Sequence, residues 1–299
     1  LQAQGGAIVE VNAGPGLLMH IKPAVGAPRP VGQAIVEHLF PEADNQDKAG
    51  RIPIVGVAGS QGTNTIARLV AWLLHLAGHH TGLACQDGLF LDHRRVEARD
   101  SAHWEPARRL LMNQMVEAAV VENGAETILR DGLAYDRCTV GVVTDMEGAQ
   151  ALGHYDIQDA DQLPRVLRTQ VDVVLPDGVA VLNAADARVA ALAPLCDGSV
   201  ILYAQDADLP AIAAHRAAQG RAVFVRDGRV VLATGGAEKP LGMLAGLLPA
   251  EAQPDLLLAA VATAWALDIA PDLIAAGVKT FDSDAMPART TRSESVTQH

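Results

Sequence analysis

The chain has 299 residues, a length that one large domain or two ordinary domains would account for. Hydrophobic residues make up 49% and charged residues 19%, which is typical of a globular protein and excludes a disordered chain. The formal net charge of −12 argues against nucleic acid as a partner, because phosphate backbones select basic surfaces.

The residue types also indicate the kind of core and the compartment. Aromatic residues are only 3% of the chain, so the core is expected to be aliphatic, as in α/β proteins. Cys85, Cys138 and Cys196 are far apart and form no CxxC pair, which favours free thiols in a reducing cytoplasm. The longest apolar stretch, 256–267, is too short to cross a bilayer, so no membrane partner is expected. No signal peptide is visible, but the chain starts at Leu1, which leaves an upstream targeting segment open.

Three regions follow one another along the chain. Residues 1–49 begin with a strand-like run and end in a polar linker, 41–50, that marks a boundary by composition. Residues 50–278 alternate strand and helix patterns. The last region, 279–299, is polar and rich in Ser, Thr and Arg, so we expect a loose tail.

The middle region predicts eight strands and six helices. The strands are expected at 52–58, 82–85, 118–122, 140–144, 179–182, 200–203, 222–225 and 229–233. The helices are expected at about 63–78, 104–115, 158–174, 186–193, 208–218 and 251–268. Most strands are continuous apolar runs, which indicates burial on both faces. The alternation predicts an α/β fold, a largely parallel sheet with helices on both faces, and Asp227-Gly228 predicts a closing hairpin.

The first strand of this region runs into a glycine-rich turn and then a helix. Such a strand-turn-helix is the setting of a phosphate-binding loop, in which Gly59 and Gly62 would let the backbone approach an anion. The lysine that such a loop places after its second glycine is absent, and Thr63, Asn64 and Thr65 follow instead. A lost charge-assisted contact costs roughly 1.5–3 kcal/mol of binding. The turn is therefore either a weak nucleotide site or a feature that the fold alone requires.

Other candidate residues have simpler interpretations. His75 and His79 have a spacing that suits a metal on a helix, but no third ligand has a matching place, which argues against a metal site. Arg130 is expected to pair with Asp131 or Asp136, or to line a substrate cleft. Cys138 has apolar neighbours and is expected to be inert.

Four stretches of the chain, taken in order, resemble one family of proteins. They are 6–31, "GAIVEVNAGPGLLMHIKPAVGAPRPV"; 51–91, which contains "VGVAGSQGTNT"; 118–145, "AAVVENGAETILRDGLAYDRCTVGVVTD"; and 177–192, "DGVAVLNAADARVAAL". This order resembles cyanophycin synthetase, whose C-terminal half is related to the Mur ligases of cell-wall synthesis. The resemblance covers residues 5–283 and is specific as an ordered set, although no single stretch would be.

The resemblance implies a fold and a chemistry. Residues 1–49 would be the end of an ATP-grasp domain, and 50–278 an α/β domain of the Mur ligase central type, P-loop-like. The family uses ATP and Mg²⁺ to activate carboxylates as acyl phosphates, which amines then attack. Its ATP-grasp domain adds aspartate to a polymer and its Mur-like domain adds arginine. The partners implied are an upstream ATP-grasp domain, further copies of the chain and an amino-acid or dipeptide polymer.

In the N-terminal region the resemblance implies two sets of site residues. Glu10 and Asn12 lie at alternate positions of a strand and so on one face, where the ATP-grasp pattern binds Mg²⁺. The alternative is a solvated edge strand. Lys22 and Arg29 follow in a proline-rich loop and would contact polymer carboxylates, or are simply solvated.

In the Mur-like region the chain departs from the family at several places. Thr63 replaces the loop lysine. Glu122 keeps the position of a metal ligand, but the following Arg-Gly-Gly is Ala-Glu-Thr at 125–127. Asn183 and Asp186 remain from the motif that meets the sugar and base of the nucleotide, with one acid lost.

Two further departures concern larger features. The family's Asp-His pair has no counterpart in 145–151, and the chain ends at His299, about where the third Mur lobe would begin. The resulting expectation is a non-catalytic, structural or oligomerising Mur-like domain of an ATP-dependent ligase that polymerises aspartate and arginine or β-aspartyl-arginine units. An active amide ligase and a nucleotide sensor without turnover stay open as alternatives.

Overall fold

The structure is a computed structural model that describes residue 14 and residues 16–39, 51–157, 159–247 and 253–281. The chain divides into two compact units, Leu1–Arg51 and Ile52–His299. In the N-terminal unit the described residues form two helices, α1 (Leu18–Ile21) and α2 (Val31–Leu39). The candidates Glu10 and Asn12 lie outside the described residues.

The larger unit is built on one sheet, to which the described residues contribute eleven strands. They are β1 (Ile54–Ala58), β2 (Thr81–Cys85), β3 (Gly88–Leu91), β4 (Arg94–Glu97), β5 (Ala118–Asn123), β6 (Cys138–Val143), β7 (Val174–Asn183), β8 (Ser199–Asp206), β9 (Arg221–Arg226), β10 (Arg229–Thr234) and β11 (Ala237–Met243). Their order across the sheet is β11-β10-β9-β8-β7-β6-β1-β5-β2-β3-β4. The strands from β9 to β2 in this order pair in parallel, and β3, β4, β10 and β11 extend the two edges in antiparallel pairing. The predicted largely parallel sheet is confirmed.

The helices of this unit lie between the strands along the chain, apart from the last three, which follow the last strand. They are α3 (Thr63–Leu76), α4 (Trp104–Leu111), α5 (Ala125–Arg130), α6 (Leu163–Leu167), α7 (Thr169–Asp172), α8 (Ala187–Ala190), α9 (Pro210–Ala217), α10 (Leu244–Leu247), α11 (Pro254–Ala266) and α12 (Pro271–Thr280). Within the described residues, three short 3₁₀ segments occur at Ala149–Tyr155, Ala160–Gln162 and Ala193–Leu195.

The sheet separates two apolar cores, one on each face. Val55 and Val57 of β1 point into a core that α3, α11 and α12 complete. Ala58 points to the opposite core, which α4 to α9 cover. Because successive side chains of a strand alternate between faces, a strand buried on both sides consists of continuous apolar residues, as predicted. The apolar stretch 256–267 is the core helix that was expected, and no described helix is long and apolar enough to span a membrane.

The structure corrects several predicted elements. The single helix predicted at 158–174 is a 3₁₀ turn followed by the short helices α6 and α7. Asp159 caps the start of this turn with a reciprocal bond to Gln162. Strands β3, β4 and β11 were missed. Of these, β4 and β11 are largely exposed edge strands without an apolar run. The hairpin at Asp227-Gly228 is confirmed, and both residues have the positive φ that its tight turn requires.

The position of β1 decides where ligands would bind. The chain leaves β1 toward β2 and β5 on one side and later returns to β6 on the other side. In open α/β sheets this reversal leaves a crevice at the carboxyl ends of the strands, which is where such folds bind ligands. The loops after β1 and β6 meet at this end, beside residues of β7 and β8.

Candidate functional site

A cleft of about 320 Å³ opens at the switch point of the sheet, and we call it the switch-point cleft. It is at the lower end of the range for small-molecule sites. The loops after β1 and β6, the ends of β7 and β8 and the start of α11 line it. The lining residues are Ser60, Gln61, Gly62, Thr144, Asp145, Glu147, Asn183, Tyr203, Gln253, Asp255 and Leu256.

The glycine-rich turn has its predicted place between β1 and α3, but the chain's own side chains occupy the space beside it. A Cβ atom on Gly59 would collide with the hydroxyl of Thr144. A Cβ atom on Gly62, which has a φ of +70°, would collide with the Leu256 side chain. Both glycines also have positive φ, which other residues adopt at a cost. Close packing inside the molecule is therefore sufficient to explain why both positions are glycine.

Asp145 brings a carboxylate to the turn itself. The Ser60 N–H donates to both carboxylate oxygens of Asp145 at 3.1 Å. The Thr144 hydroxyl and the Glu147 N–H donate to the same carboxylate at 2.8 and 3.1 Å. In a phosphate-binding loop such backbone N–H groups point at the anion. Here an anion that belongs to the protein accepts one of them.

Thr63 stands where the lysine of a phosphate-binding loop would stand, and it does not face the cleft. Its hydroxyl donates to Glu122 Oε1 at 2.7 Å, and the Gln86 N–H donates to Glu122 Oε2 at 2.7 Å. Burial raises the pKa of Glu122, and these two donors offset only part of that effect. The Glu122 side chain is thus held by the protein on both oxygens.

Asn64 is also turned away from the cleft. Its amide nitrogen donates to Asp87 Oδ2 at 2.9 Å, and Arg68 donates to the same oxygen at 2.8 Å. Thr65 continues α3 and does not line the cleft. Of the loop candidates, only Gly62 is among the lining residues, and Gly59 lies against Thr144 beside them.

The two candidates for contacts with the nucleotide's sugar and base lie near the cleft and are already engaged. Asn183 donates to the Thr144 carbonyl at 2.9 Å and accepts from the Ala185 N–H at 3.0 Å. Asp186 caps α8 and is bonded by the Arg188 guanidinium. Burial alone would raise the pKa of Asp186, but the bonds from Arg188 outweigh it and lower the pKa. Arg188 also donates to Glu147 at 2.6 Å.

The charge of the switch-point cleft is the opposite of what a triphosphate needs. Asp145, Glu147 and Asp255 contribute carboxylates, and none of the described lining residues is Lys, Arg or His. The nearest cation identified beside it, Arg188, is held by Asp186 and Glu147. Phosphoryl groups are bound by cations and free N–H groups, so the residues present do not fit a nucleoside triphosphate with Mg²⁺.

The remaining candidates lie elsewhere. Lys22 and Arg29 are exposed in the N-terminal unit, where the Arg29 N–H donates to the His20 carbonyl. Arg130 pairs with Asp131 at 2.9 Å, as expected.

The structure also shows the surroundings of the histidine and cysteine candidates. His75 lies near the Asp92 carboxylate, and the described residues hold no group of side chains suited to a metal ion. Cys138 is buried and its pKa is raised to about 12 by burial, which agrees with the inert thiol that was expected.

Sequence reasoning missed Tyr203, Asp255 and Leu256 as parts of the site. Tyr203 lies within an apolar run of β8, and the other two begin a helix that is otherwise a core element. No motif marks these positions, because they meet the loop after β1 only through the packing of the sheet and α11. The acidic residue after β6, Asp145, was visible in the sequence as the residue that follows a buried strand.

Similarity to solved structures defines the class of the fold. The chain superposes on UDP-N-acetylmuramoyl-L-alanyl-D-glutamate--2,6-diaminopimelate ligase with a TM-score of 0.57 and 14% identity, over 77% of this chain and 46% of that one. It superposes on MurF from Acinetobacter baumannii with a TM-score of 0.54 and 17% identity, over 78% of this chain and 47% of that one. The fold is therefore that of the Mur ligases. No family model matches the chain.

Sequence similarity identifies the particular relatives. The cyanophycin synthetase of Synechocystis sp. is 34% identical over 295 residues, which are 95% of this chain and 33% of that protein. The cyanophycin synthetase of Geminocystis herdmanii is 37% identical over 223 residues, 75% of this chain and 25% of that protein. The chain is thus a relative of the cyanophycin synthetases over nearly its whole length, and it spans about a third or less of theirs.

Proposed function

We propose that this chain provides the non-catalytic Mur-like domain of an ATP-dependent carboxylate–amine ligase, with a structural and self-associating role. The observation that carries the proposal is the carboxylate of Asp145, which accepts the Ser60 N–H in the turn where a phosphate would lie. A bound triphosphate would have to displace this carboxylate and then lie beside it. Like charges at such short distances repel each other.

The residues around the former metal position support the same proposal. In the family the loop lysine and a glutamate act on the phosphates and the metal ion. Here Thr63 and Glu122 are bonded to each other inside the protein, with Glu122 only 7% exposed. A carboxylate that is buried, raised in pKa and already accepting two hydrogen bonds is a poor ligand for a hydrated Mg²⁺ ion.

The activity of the whole protein is part of this proposal. The relatives are cyanophycin synthetases, so we propose that the ATP-grasp portion carries the ligase reaction with ATP and Mg²⁺. Glu10 and Asn12 are its proposed Mg²⁺ ligands, and Lys22 and Arg29 its proposed contacts with polymer carboxylates. Its products would be polymers of aspartate and arginine or of β-aspartyl-arginine units. The partners would be the ATP-grasp domain and further copies of the same protein.

Two other functions use the same fold and make different demands on the cleft. An active Mur-type amide ligase needs cations around the transferred phosphoryl group, and the described lining residues provide none. A nucleotide sensor needs only binding, and the start of α3 directly after the glycine-rich turn is a feature that favours it.

The proposal is tested by calorimetric titration of the 299-residue chain with ATP and Mg²⁺. We expect no heat of binding at the switch-point cleft up to millimolar nucleotide. A Gly62→Ala variant is the matched control, because any binding in the turn must change when a Cβ atom is added there. Micromolar binding that this substitution abolishes would overturn the proposal in favour of a sensor or an enzyme, and a turnover assay would then separate those two.

A further inference from the structure

The switch-point cleft is lined by a tyrosine whose ring is buried and whose hydroxyl makes no hydrogen bond within the described residues. Tyr203 is only 1% exposed, and its ring lies in the apolar core at the end of β8. Its hydroxyl reaches the cleft that Asp145 and Asp255 line, and within the described part of the chain it makes no hydrogen bond. A hydroxyl that opens into a cleft without a partner among the described residues is available to a ligand or to water.

A second polar atom at the same cleft is also unsatisfied. Asp255 Oδ2 accepts a bond from the Gln205 amide at 2.9 Å, but Asp255 Oδ1 is buried and has no partner within the described residues. Asp255 lies in the first turn of α11, beside Leu256 at the mouth of the turn after β1. An unpaired carboxylate oxygen withdrawn from water is costly, and a cation offsets that cost most effectively.

The surroundings decide which kind of ligand fits. Three carboxylates line the cleft, and the described lining has no basic side chain, which excludes anions. The described residues provide no group of side chains suited to a metal ion. A neutral phenol accepts a hydrogen bond as well as donating one, so Tyr203 suits a ligand that carries N–H donors. What remains is an organic cation with several N–H groups.

We propose that the switch-point cleft binds a small organic cation, an ammonium or guanidinium group, between Asp255 and the Tyr203 hydroxyl. Asp145 and Glu147 add negative charge around it. This inference rests on the proposed loss of nucleotide binding at the same cleft, because a triphosphate and this cation exclude each other. The site of an anionic ligand has in this chain become a site for a cationic one.

The test uses agmatine, which has one guanidinium and one ammonium group, titrated into the full 299-residue chain at low ionic strength. We expect saturable binding in the submillimolar range. Tetramethylammonium, which has the charge but no N–H donors, should not displace it. Asp255→Asn should weaken agmatine binding about tenfold or more, and Tyr203→Phe several-fold, because each removes one bond to a charged ligand.

Asp272→Asn is the matched control. Asp272 follows the first proline of α12 as Asp255 follows the first proline of α11, so both substitutions remove one charge from the same position of a helix. Asp272→Asn should leave agmatine binding unchanged. Thermal unfolding of each variant checks that the fold is retained, and Asp255→Asn keeps the test valid if Tyr203→Phe does not fold.

Three results would overturn the inference. They are no binding of millimolar agmatine, equal weakening by Asp272→Asn, and displacement by tetramethylammonium or by MgCl₂ at equal concentration. Titration of the same sample with ATP separates this inference from the proposed function. If neither ATP nor agmatine binds, the cation site is wrong while the proposed function stands, whereas ATP binding in the turn overturns the proposed function.

Discussion

At the scale of single residues, the switch-point cleft differs from a phosphate site by contacts and not only by missing side chains. Thr63 brings no positive charge to the turn, and Asp145 goes further because it places an anion on the Ser60 N–H. Thr63 and Glu122 complete the change by bonding to each other. Each of these contacts has to be broken before a nucleotide could be held as in an active ligase.

The first prediction concerns the restoration of the missing lysine. Thr63→Lys should produce no detectable ATP turnover, because a lysine at this position would meet the Glu122 carboxylate and the Asp145 carboxylate would remain in the turn. Release of phosphate in the presence of ATP, Mg²⁺ and the candidate amino acids measures this. Thr65→Lys, two residues further along the same helix, is the control for added charge. A large gain of turnover in Thr63→Lys alone would contradict the structural role.

The second prediction concerns the buried carboxyl group of Glu122. Its pKa is raised above the ordinary value of 4.5, so between 4.5 and the folded-state pKa the folded protein binds more protons than the unfolded chain. The free energy of unfolding should therefore rise as the pH is lowered from neutral toward 4.5, relative to a Glu122→Gln variant that cannot titrate. The slope of the difference is at most about 1.4 kcal/mol per pH unit.

Urea unfolding of both proteins at a series of pH values measures this difference. A difference that is constant across the range, or that grows as the pH is raised, would show that Glu122 has an ordinary or lowered pKa in the folded protein. Since the Thr63 hydroxyl and the Gln86 N–H both favour the charged form, such a result would mean that these donors outweigh burial.

At the scale of elements, the contact between the start of α3 and the start of α11 explains the second glycine of the turn. Gly62 caps α3 in the left-handed region, and the Leu256 side chain from α11 occupies the space where its Cβ would be. The two elements are far apart in the sequence and pack side by side in the same core. The glycine is thus a requirement of helix packing as well as of the turn.

The third prediction separates these two requirements by a double-mutant cycle. Gly62→Ala should destabilise the protein through both the positive φ and the collision with Leu256, by roughly 1–3 kcal/mol. In a Leu256→Ala background the collision is relieved, so the same substitution should cost clearly less. Equal costs in the two backgrounds, measured by urea unfolding, would mean that backbone strain alone requires the glycine.

At the scale of the whole molecule, the three cysteines lie at different depths relative to the sheet and its two cores. Cys85 lies in β2 and Cys138 in β6, both fully buried, and burial raises the pKa of each thiol to about 12. Cys196 is only half-buried, at the end of a 3₁₀ segment near the surface. The reactivity of Cys85 and Cys138 therefore reports on opening of the sheet, and that of Cys196 reports on the periphery of the domain.

The fourth prediction follows from this difference. In the native protein a thiol reagent should label Cys196 first, and Cys85 and Cys138 only when the sheet unfolds, because the thiolate is the reactive form and the reagent needs access. The rate of labelling followed by mass spectrometry measures this, and denaturant should make all three react. A Cys196→Ser variant should lack the fast phase. Fast labelling of Cys85 or Cys138 in that variant would show that the sheet opens locally without global unfolding.

The amino-acid sequence by itself determined the α/β class, the largely parallel sheet and the glycine-rich turn. These follow from local patterns, namely continuous apolar runs, their alternation with helices and the tight turn at Asp227-Gly228. It also located the departures from the family at Thr63 and at 125–127, and the retained Glu122. It did not resolve the region 158–174, where a capped 3₁₀ turn interrupts the helical pattern, or the exposed edge strands β4 and β11.

Only the tertiary structure decided what surrounds the turn after β1. Whether Asp145 faces solvent or the Ser60 N–H depends on the pairing of β1 with β6, and whether Gly62 faces a ligand or Leu256 depends on the packing of α11 against α3. The unsatisfied Tyr203 hydroxyl becomes visible in the same way, because β8 and α11 meet beside that turn. These contacts join residues far apart in the chain, and their energies depend on distance and burial, which no local pattern of residues specifies.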